Sequence, residues 1–570
     1  MTAPRLSYAH KPADAPLLGE TIGQCLDRIT ETFPDHEAVV SVFQNARFTY
    51  RAFREIVNRA AKAFLSLGIQ RGDRVAIWST NNYEWVVTQY ATAKIGAILV
   101  NINPAYRVHE LEYVLRESRS KVLLLIGSFK SSDYVEMFYE ACPSAREAEF
   151  GEIDSPRFPH LKHIIFIGEE RHSGMLPFGE FMKHGDAVSD EALHRREDDL
   201  DIDDHINIQY TSGTTGFPKG VTLTHNNILN NGFVIGEYMQ FTDQDRLCVP
   251  VPFYHCFGMV VGNLAAMTHG ATVIIPAPSF DPLLTLRTVQ EERCTALHGV
   301  PTMFIAMLEH PEFSKYDVTT LRTGITGAAP CPIELMKKVT TIMHMPQIVT
   351  AYGQTEASPL TCMTAPDDPV ERRVDSVGKV VWHQELKIVD PVTGKTVPRG
   401  EQGEICFRGY NVMAGYDNQP EATAEAIDAQ GWLHSGDLGT MDEDGYVRIT
   451  GRLKEMVIRG GENVYPREIE EFLHTLDIIY DVAVVGVPDE KYGEELLACV
   501  KLQEGVATPT DDEFRALCKG RIAHYKIPRY WMVVDEFPMT VTGKVQKFKI
   551  REMAIRKLNL REQTVPERVT

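Results

Sequence analysis

The feature that most constrains this chain is a regular alternation through its first four-fifths. "YRAFREIVNRAAKAFLSLG" carries apolar residues at helical spacing and ends in glycine. "DRVAIWS" reads as a strand, "NYEWVVTQYATAKIG" as a helix and "AILVNI" as a strand, and "HELEYVLRES" followed by "KVLLLIG" repeats the pattern. Strands separated by helices, and themselves almost continuously apolar, predict largely parallel sheets covered on both faces. The fold class is α/β, with a large N-terminal domain of layered sheets and helices. The texture changes near residue 445. "GYVRITGR" and "EMVIRGGENVYP" read as short strands, and "PREIEEFLHTL" as a helix with proline near its start. "DVAVVGVPD", "LLACVKLQEG" and "YWMVVDEFP" read as strands and "TDDEFRALCKGRIA" as a helix, which predicts a small α+β domain. A chain of 570 residues is in any case too long for one hydrophobic core.

Composition narrows the function classes. A formal net charge of -20 and a pI near 5.5 make the chain a poor general ligand for nucleic acid or anionic membrane. Any phosphate site must therefore be built locally. Ten cysteines without a C-x-x-C pair suggest neither a zinc cluster nor a disulfide framework, but buried, reduced thiols in a cytoplasmic protein. "MTAPRLSYAHKPADAPLLGETIGQ" has no apolar core of a secretory signal and is not arginine-rich, and no apolar run approaches the length of a membrane span.

"YTSGTTGFPKG", Tyr210 to Gly220, is the chemically richest stretch. Glycines let backbone N–H groups approach an anion closely; Thr211, Ser212, Thr214 and Thr215 add neutral donors, and Lys219 adds a charge. It is not an ordinary P-loop. Counted from Gly213, the second glycine of that motif is replaced by Pro218, and the hydroxyl after the lysine by Gly220. The loop runs between two strand-like stretches, "INIQY" and "VTLTH", whereas a P-loop opens a helix. Alone, such a loop is also what a polar surface turn looks like.

"YTSGTTGFPKGVTLTH" resembles the phosphate loop of the adenylate-forming enzymes: acyl-CoA synthetases, luciferases and peptide-synthetase adenylation domains. "PFYHCFG", "GITGAAP", "AYGQTE", "HSGDLG", "GRLKEMVIRGGENVYPREIE" and "PMTVTGKVQK" then follow in the family's order, so the resemblance spans roughly residues 20 to 550. It implies that ATP and a carboxylate give an acyl-adenylate and pyrophosphate, and that coenzyme A then takes the acyl group. It further implies that Thr211, Ser212, Gly213, Thr214, Thr215 and Lys219 hold the leaving phosphates. Gly327, Ala328 and Ala329 would shape the adenine slot, with Tyr352 stacking on the base beside Gly353. Thr355 would donate to the α-phosphate and Glu356 hold Mg2+. Asp437 and Arg452 would hold the ribose, and Lys544 would bridge the attacking carboxylate and the α-phosphate. His255 would border the acyl and thiol sites as a gate or carboxylate-side contact.

The same resemblance implies a mobile C-terminal domain. It sets the boundaries at 1–451 for the large domain, 452–456 for a hinge centred on Lys454, and 457–570 for the small domain. After rotation "RGGEN" would face the site, with Gly460 and Gly461 leaving room for the pantetheine arm. Lys544 to Arg561 carries seven basic residues and one acidic one, either a solvated helix face or a contribution to holding coenzyme A phosphates. Amino-acid-activating relatives carry an Asp in the segment that here reads "PFYHCFG", so a peptide-synthetase module is not expected. "FGMVVGNLAAM", "HGVPTMFIAML" and "GITGAAP" offer no charged group to a polar acyl tail. The expected substrate is a medium- to long-chain fatty acid, the alternative an aryl acid, and the non-enzymatic alternative a nucleotide-binding protein without catalysis. The expected partners are small molecules and no nucleic acid, and the reading leaves room for a homodimer.

Overall fold

The computed structural model describes residues 5–149, 153–211, 218–459, 462–489, 491–539 and 544–560. Ser212, Gly213, Thr214, Thr215, Gly460 and Gly461 of the expected site lie outside the described residues. By internal packing the chain divides into two units, one of Ala9–Leu386 with Phe407–Leu433, the other of Met1–Tyr8, Lys387–Cys406 and His434–Thr570.

The larger unit is built as the alternation predicts. Among the described residues, an eight-stranded sheet runs in the order Met175–Pro177, His163–Phe166, Val122–Leu125, Arg74–Trp78, Ile98–Ile102, His205–Thr211, Lys219–Thr224, Gly415–Tyr416. The first six strands are parallel, and the last two turn antiparallel around the glycine-rich loop. A nine-stranded sheet has a parallel centre that includes Arg246–Cys248, Ala296–Leu297, Thr323–Gly327 and Gln347–Gly353.

Helices cover these sheets for readable reasons. Tyr50–Ser66 starts where the Thr49 side chain accepts from the Ala52 N–H, and it buries Tyr50, Phe53, Val57, Ala60, Ala61 and Phe64. Tyr83–Lys94, capped by Asn82, is buried on every side. Its last residue, Lys94, is only 1% exposed and is tolerated there because Asp27 and Glu197 lie 2.7 and 2.5 Å from its ammonium.

The smaller unit carries the α+β elements expected after residue 457. Ile479–Asp489 and Gly493–Leu502 form a long antiparallel hairpin, Tyr530–Val533 adds in parallel, and Val457–Arg459 with Glu462–Val464 completes the sheet. Pro466–Leu473 begins with proline at its first position. Asp511–Cys518 begins with a capping box between Thr510 and Glu513. All ten cysteines are free of disulfides and buried, as their unpaired spacing predicts. Among the described residues no helix is long and apolar enough to cross a membrane.

Two fully enclosed histidines give the larger unit a pH dependence. Burial lowers the pKa of both His225 and His298 to about 4. Between about 4 and the unfolded value near 6.5 the unfolded chain takes up protons that the folded chain does not, so acid favours unfolding. Each should cost on the order of 1 kcal/mol of stability per pH unit across that window, with no further loss from these groups below pH 4. In urea titrations, His225→Asn and His298→Asn should each flatten the slope between pH 6.5 and 4. An unchanged slope in both would show that the imidazoles charge without unfolding.

Candidate active site

The carboxyl ends of two neighbouring parallel strands make the floor of the site, the usual place for ligands in open α/β sheets. Thr323–Gly327 pairs with Gln347–Gly353 so that Gly327 lies opposite Ala351. This sets Gly327, Ala328 and Ala329 beside Tyr352 and Gly353. Ala328 turns the chain out of its strand with φ 66°, a left-handed conformation that costs a non-glycine residue energy. Gly353 has no alternative, since a Cβ there would sit 1.8 Å from the Pro359 carbonyl oxygen. Tyr352 packs near Phe407, ring centroids 6.0 Å apart.

The glycine-rich loop joins the two arms of a hairpin, and register puts Thr211 opposite Lys219. The next strand, Gly415–Tyr416, pairs Tyr416 with Val221. Tyr416 is thereby drawn in from far along the chain. Its ring lies under the Lys219 ammonium at 4.8 Å, and its hydroxyl donates to Glu356 Oε1 at 3.0 Å. Burial, reinforced by the Glu356 carboxylate, pushes the Tyr416 phenol well above its ordinary pKa, so it stays a donor.

The turn that carries buried Thr355 and half-buried Glu356 is stapled to the same distant segment. Met413 N–H donates to the Glu356 carbonyl at 2.9 Å, the Ser358 hydroxyl to Asn411 O at 2.6 Å, and the Asn411 amide to Ala357 O at 3.2 Å. Glu356 is a hard oxygen ligand oriented by one neutral donor. That donor set fits Mg2+, which usually takes one or two carboxylates plus phosphate oxygens.

His255 lies just before a π-helix, Phe257–Leu264, a conformation frequent at functional sites. Its Nδ1 accepts from Phe257 N–H at 3.1 Å. A buried network of amide side chains braces this wall. Gln209 donates to Asn207 Oδ1 at 2.9 Å and Asn207 to Asn101 Oδ1 at 3.1 Å. Asn101 then donates to Tyr254 O at 3.0 Å, and Gln89 to Met259 O at 3.1 Å. His298 ties the wall to the strand below it: Ile325 N–H donates to Nδ1 at 3.2 Å, which leaves Nε2–H to donate to Val261 O at 3.1 Å. Sequence reasoning missed the amides. The signal was there in "NIQ" of "INIQY", where Asn207 and Gln209 share one face of a strand whose other face is apolar.

In the smaller unit, Asp437 and Arg452 face each other across an antiparallel pair, with Arg452 Nε 3.1 Å from Asp437 Oδ1. Lys454 lies in the turn Leu453–Glu455, which follows directly. Lys544 is exposed, and three residues later Lys547 is clamped between Glu455 at 2.9 Å and Glu470 at 2.8 Å. Burial lowers the Lys547 pKa, but the two carboxylates outweigh it and hold the ammonium charged. The start of the lysine-bearing segment is thus fastened to the turn that contains Lys454. Arg459, beside the two glycines, is held by both oxygens of the fully buried Glu495 carboxylate.

The profile of the AMP-binding enzyme family matches residues 26–417, and that of the AMP-binding enzyme C-terminal domain matches 468–544. The chain is 51% identical over 546 residues to YngI of Bacillus subtilis (strain 168), whose name provisionally describes an acyl-CoA synthetase; the match covers 96% of this chain and 99% of that one. It is 43% identical over 556 residues to the mitochondrial medium-chain acyl-CoA ligase ACSF2 of Danio rerio, covering 97% of this chain and 91% of the relative. The solved structure of the anthranilate CoA ligase AuaEII with anthranoyl-AMP superimposes with a TM-score of 0.81 at 27% identity, covering 96% of this chain and 99% of the other.

The Tyr416 bridge generates a test. Tyr416→Phe keeps the ring under Lys219 but removes the donor to Glu356, a charge-assisted bond of about 1.5–3 kcal/mol. Nucleotide binding should then need roughly tenfold more Mg2+. Glu356→Gln should show at least as large an effect. Wild-type Mg2+ dependence in both variants would mean that this carboxylate holds no cation.

Proposed function

This chain belongs to the AMP-binding enzyme family, and we propose that it activates a medium- to long-chain fatty acid with ATP and transfers the acyl group to coenzyme A. The observation that carries the phosphate chemistry is the alignment of Lys219, Tyr416 and Glu356 at the mouth of the glycine-rich hairpin. In the first half-reaction the fatty-acid carboxylate attacks the α-phosphate; a P–O bond forms to the acyl oxygen, and the bond to the β-phosphate breaks to release pyrophosphate. In the second, the coenzyme A thiol, losing its proton, attacks the acyl carbonyl and AMP leaves.

The difficulty of the first step is that two anions must meet, so catalysis depends on preorganised charge and donors. Lys219 and the hydroxyls of the loop hold the leaving phosphates. The Thr355 hydroxyl donates to the α-phosphate. Glu356 would hold Mg2+, which supplies charge neutralisation to the phosphates. Asp437 accepts from the ribose hydroxyls and Arg452 donates to the same sugar. Lys544 bridges the carboxylate and the α-phosphate.

Since coenzyme A needs the carbonyl that Lys544 covers, the small domain from 457 turns on a hinge at 452–456, centred on Lys454. The Lys547 clamp to Glu455 and Glu470 supports this reading. It ties the Lys544 segment to Glu455 within the hinge and to Glu470 in the small domain beyond it, so a rotation of that domain carries Lys544 with it.

For the acyl group, the π-helical wall Phe257–Leu264 is apolar and nearly all buried, and the ionisable group behind it, His298, is kept neutral. An alkyl chain suits such a wall, and the medium-chain ligase among the relatives supports the same reading. The anthranilate ligase among the structural neighbours supports an aryl acid as the second reading. A panel of carboxylic acids scored by pyrophosphate release, with and without coenzyme A, separates them. Octanoate or dodecanoate should outperform acetate and benzoate, and acyl-CoA and AMP should appear only when coenzyme A is added. The reverse ranking promotes the aryl or short-chain reading, and no release with any acid overturns the enzymatic one.

A further inference from the structure

The smaller unit gathers a carboxylate, a thiol and an imidazole in one place. Among the described residues, one group of three His, Cys, Asp or Glu side chains brings its ligand atoms within 4.8 Å of one another: Glu404, Cys406 and His434. Glu404 and Cys406 are two apart on the strand Gly403–Gly409, so both side chains leave the same face. The neighbouring strand Leu433–Met441 brings His434 to them. His434 Nδ1 lies 2.8 Å from Glu404 Oε2 and 3.5 Å from Cys406 Sγ.

We propose that Glu404, Cys406 and His434 form a binding site for a borderline divalent cation of the zinc class, and that its occupancy inhibits nucleotide use. Thiolate, imidazole and carboxylate together form a mixed donor set that zinc accepts, with a fourth position left for water. Zinc bonds of about 2.0–2.3 Å put tetrahedral ligand atoms roughly 3.3–3.7 Å apart. The sulfur–nitrogen separation already has that value, and the nitrogen–oxygen pair has only to open slightly. Two anionic ligands neutralise a divalent ion, which suits a site whose Cys406 and Glu404 are buried. The His434 side chain is 31% exposed and gives a route in. Mg2+ is a hard cation and does not favour the thiolate, so the two sites sort their ions by donor chemistry.

The consequence for nucleotide follows from what these ligands already hold. Glu404 Oε1 accepts from Gly436 N–H at 3.1 Å, the Ser435 hydroxyl donates to Ile405 O at 2.6 Å, and Asp437 N–H donates to the Ser435 hydroxyl at 3.0 Å. This network sets the turn that presents Asp437. A bound cation takes Glu404 and His434 from their mutual bond, releases the Cys406 proton to solvent and redirects that turn. The inhibition therefore rests on the ribose role proposed for Asp437, whereas cation binding does not.

The test is cobalt titration of the full-length protein in excess Mg2+. One equivalent should give a thiolate-to-cobalt charge-transfer absorption, which zinc abolishes by displacement. Cys406→Ser and Cys406→Ala should lose the band while keeping a wild-type thermal midpoint, and His434→Gln should weaken cobalt binding at least tenfold. In parallel, zinc should suppress pyrophosphate release in the wild type and spare Cys406→Ala. If the cysteine variants do not fold, the partly exposed His434→Gln carries the test. Absence of the band in the folded wild type, its persistence in Cys406→Ala or its indifference to His434→Gln overturns the site. Equal zinc inhibition of wild type and Cys406→Ala overturns the link to nucleotide even if the band is present.

Discussion

The hydrogen bond from the Tyr416 hydroxyl to Glu356 joins three parts of the chain that have no sequence proximity. The partners are 60 residues apart, and Lys219 lies farther still. The bond exists because Gly415–Tyr416 adds as a last short strand to the sheet that carries the glycine-rich hairpin. Backbone pairing, not side-chain affinity, thus delivers the tyrosine. Once delivered, it spans the gap between the Lys219 ammonium and the Glu356 carboxylate.

The same economy governs the buried polar groups. An unpaired buried amide or imidazole is costly, which favours satisfied networks. The chain from Gln209 through Asn207 to Asn101 and Tyr254 meets that condition, as does His298 between Ile325 and Val261. Both brace the apolar π-helical wall from behind. The wall's side chains can therefore stay largely apolar while its backbone is held by polar contacts. In the smaller unit, Lys547 between Glu455 and Glu470 does a comparable job: it pays for its own burial with two carboxylates and fastens the Lys544 segment.

Much of the architecture was legible in the sequence, because helices and buried strands write their periods directly. The helix Tyr50–Ser66 and the strands Arg74–Trp78 and Ile98–Ile102 fall within the stretches that periodicity marks. The hairpin around the glycine-rich loop was legible from the strand patterns on its two sides. Ordered motifs named Thr355, Glu356, Asp437, Arg452 and Lys544, and the structure sets Asp437 directly opposite Arg452. Tyr416 was not legible as a site residue, since strand pairing between distant segments leaves no local signal. The π-helix was hidden too, because one widened turn leaves an apolar segment reading as an ordinary helix. The Glu404–Cys406–His434 group escaped a search for paired cysteines because its third ligand is 28 residues from Cys406.

The central claim is that one lysine serves one half of a two-step reaction and is then carried away. Single-turnover assay of Lys544→Ala on both half-reactions tests it most directly. Removing one preorganised donor to a developing charge costs about 3 kcal/mol or more, roughly two orders of magnitude in rate. The account predicts that loss in acid-dependent adenylate formation, with conversion of supplied acyl-adenylate and coenzyme A to thioester near the wild-type rate. An equal loss in both half-reactions would contradict it.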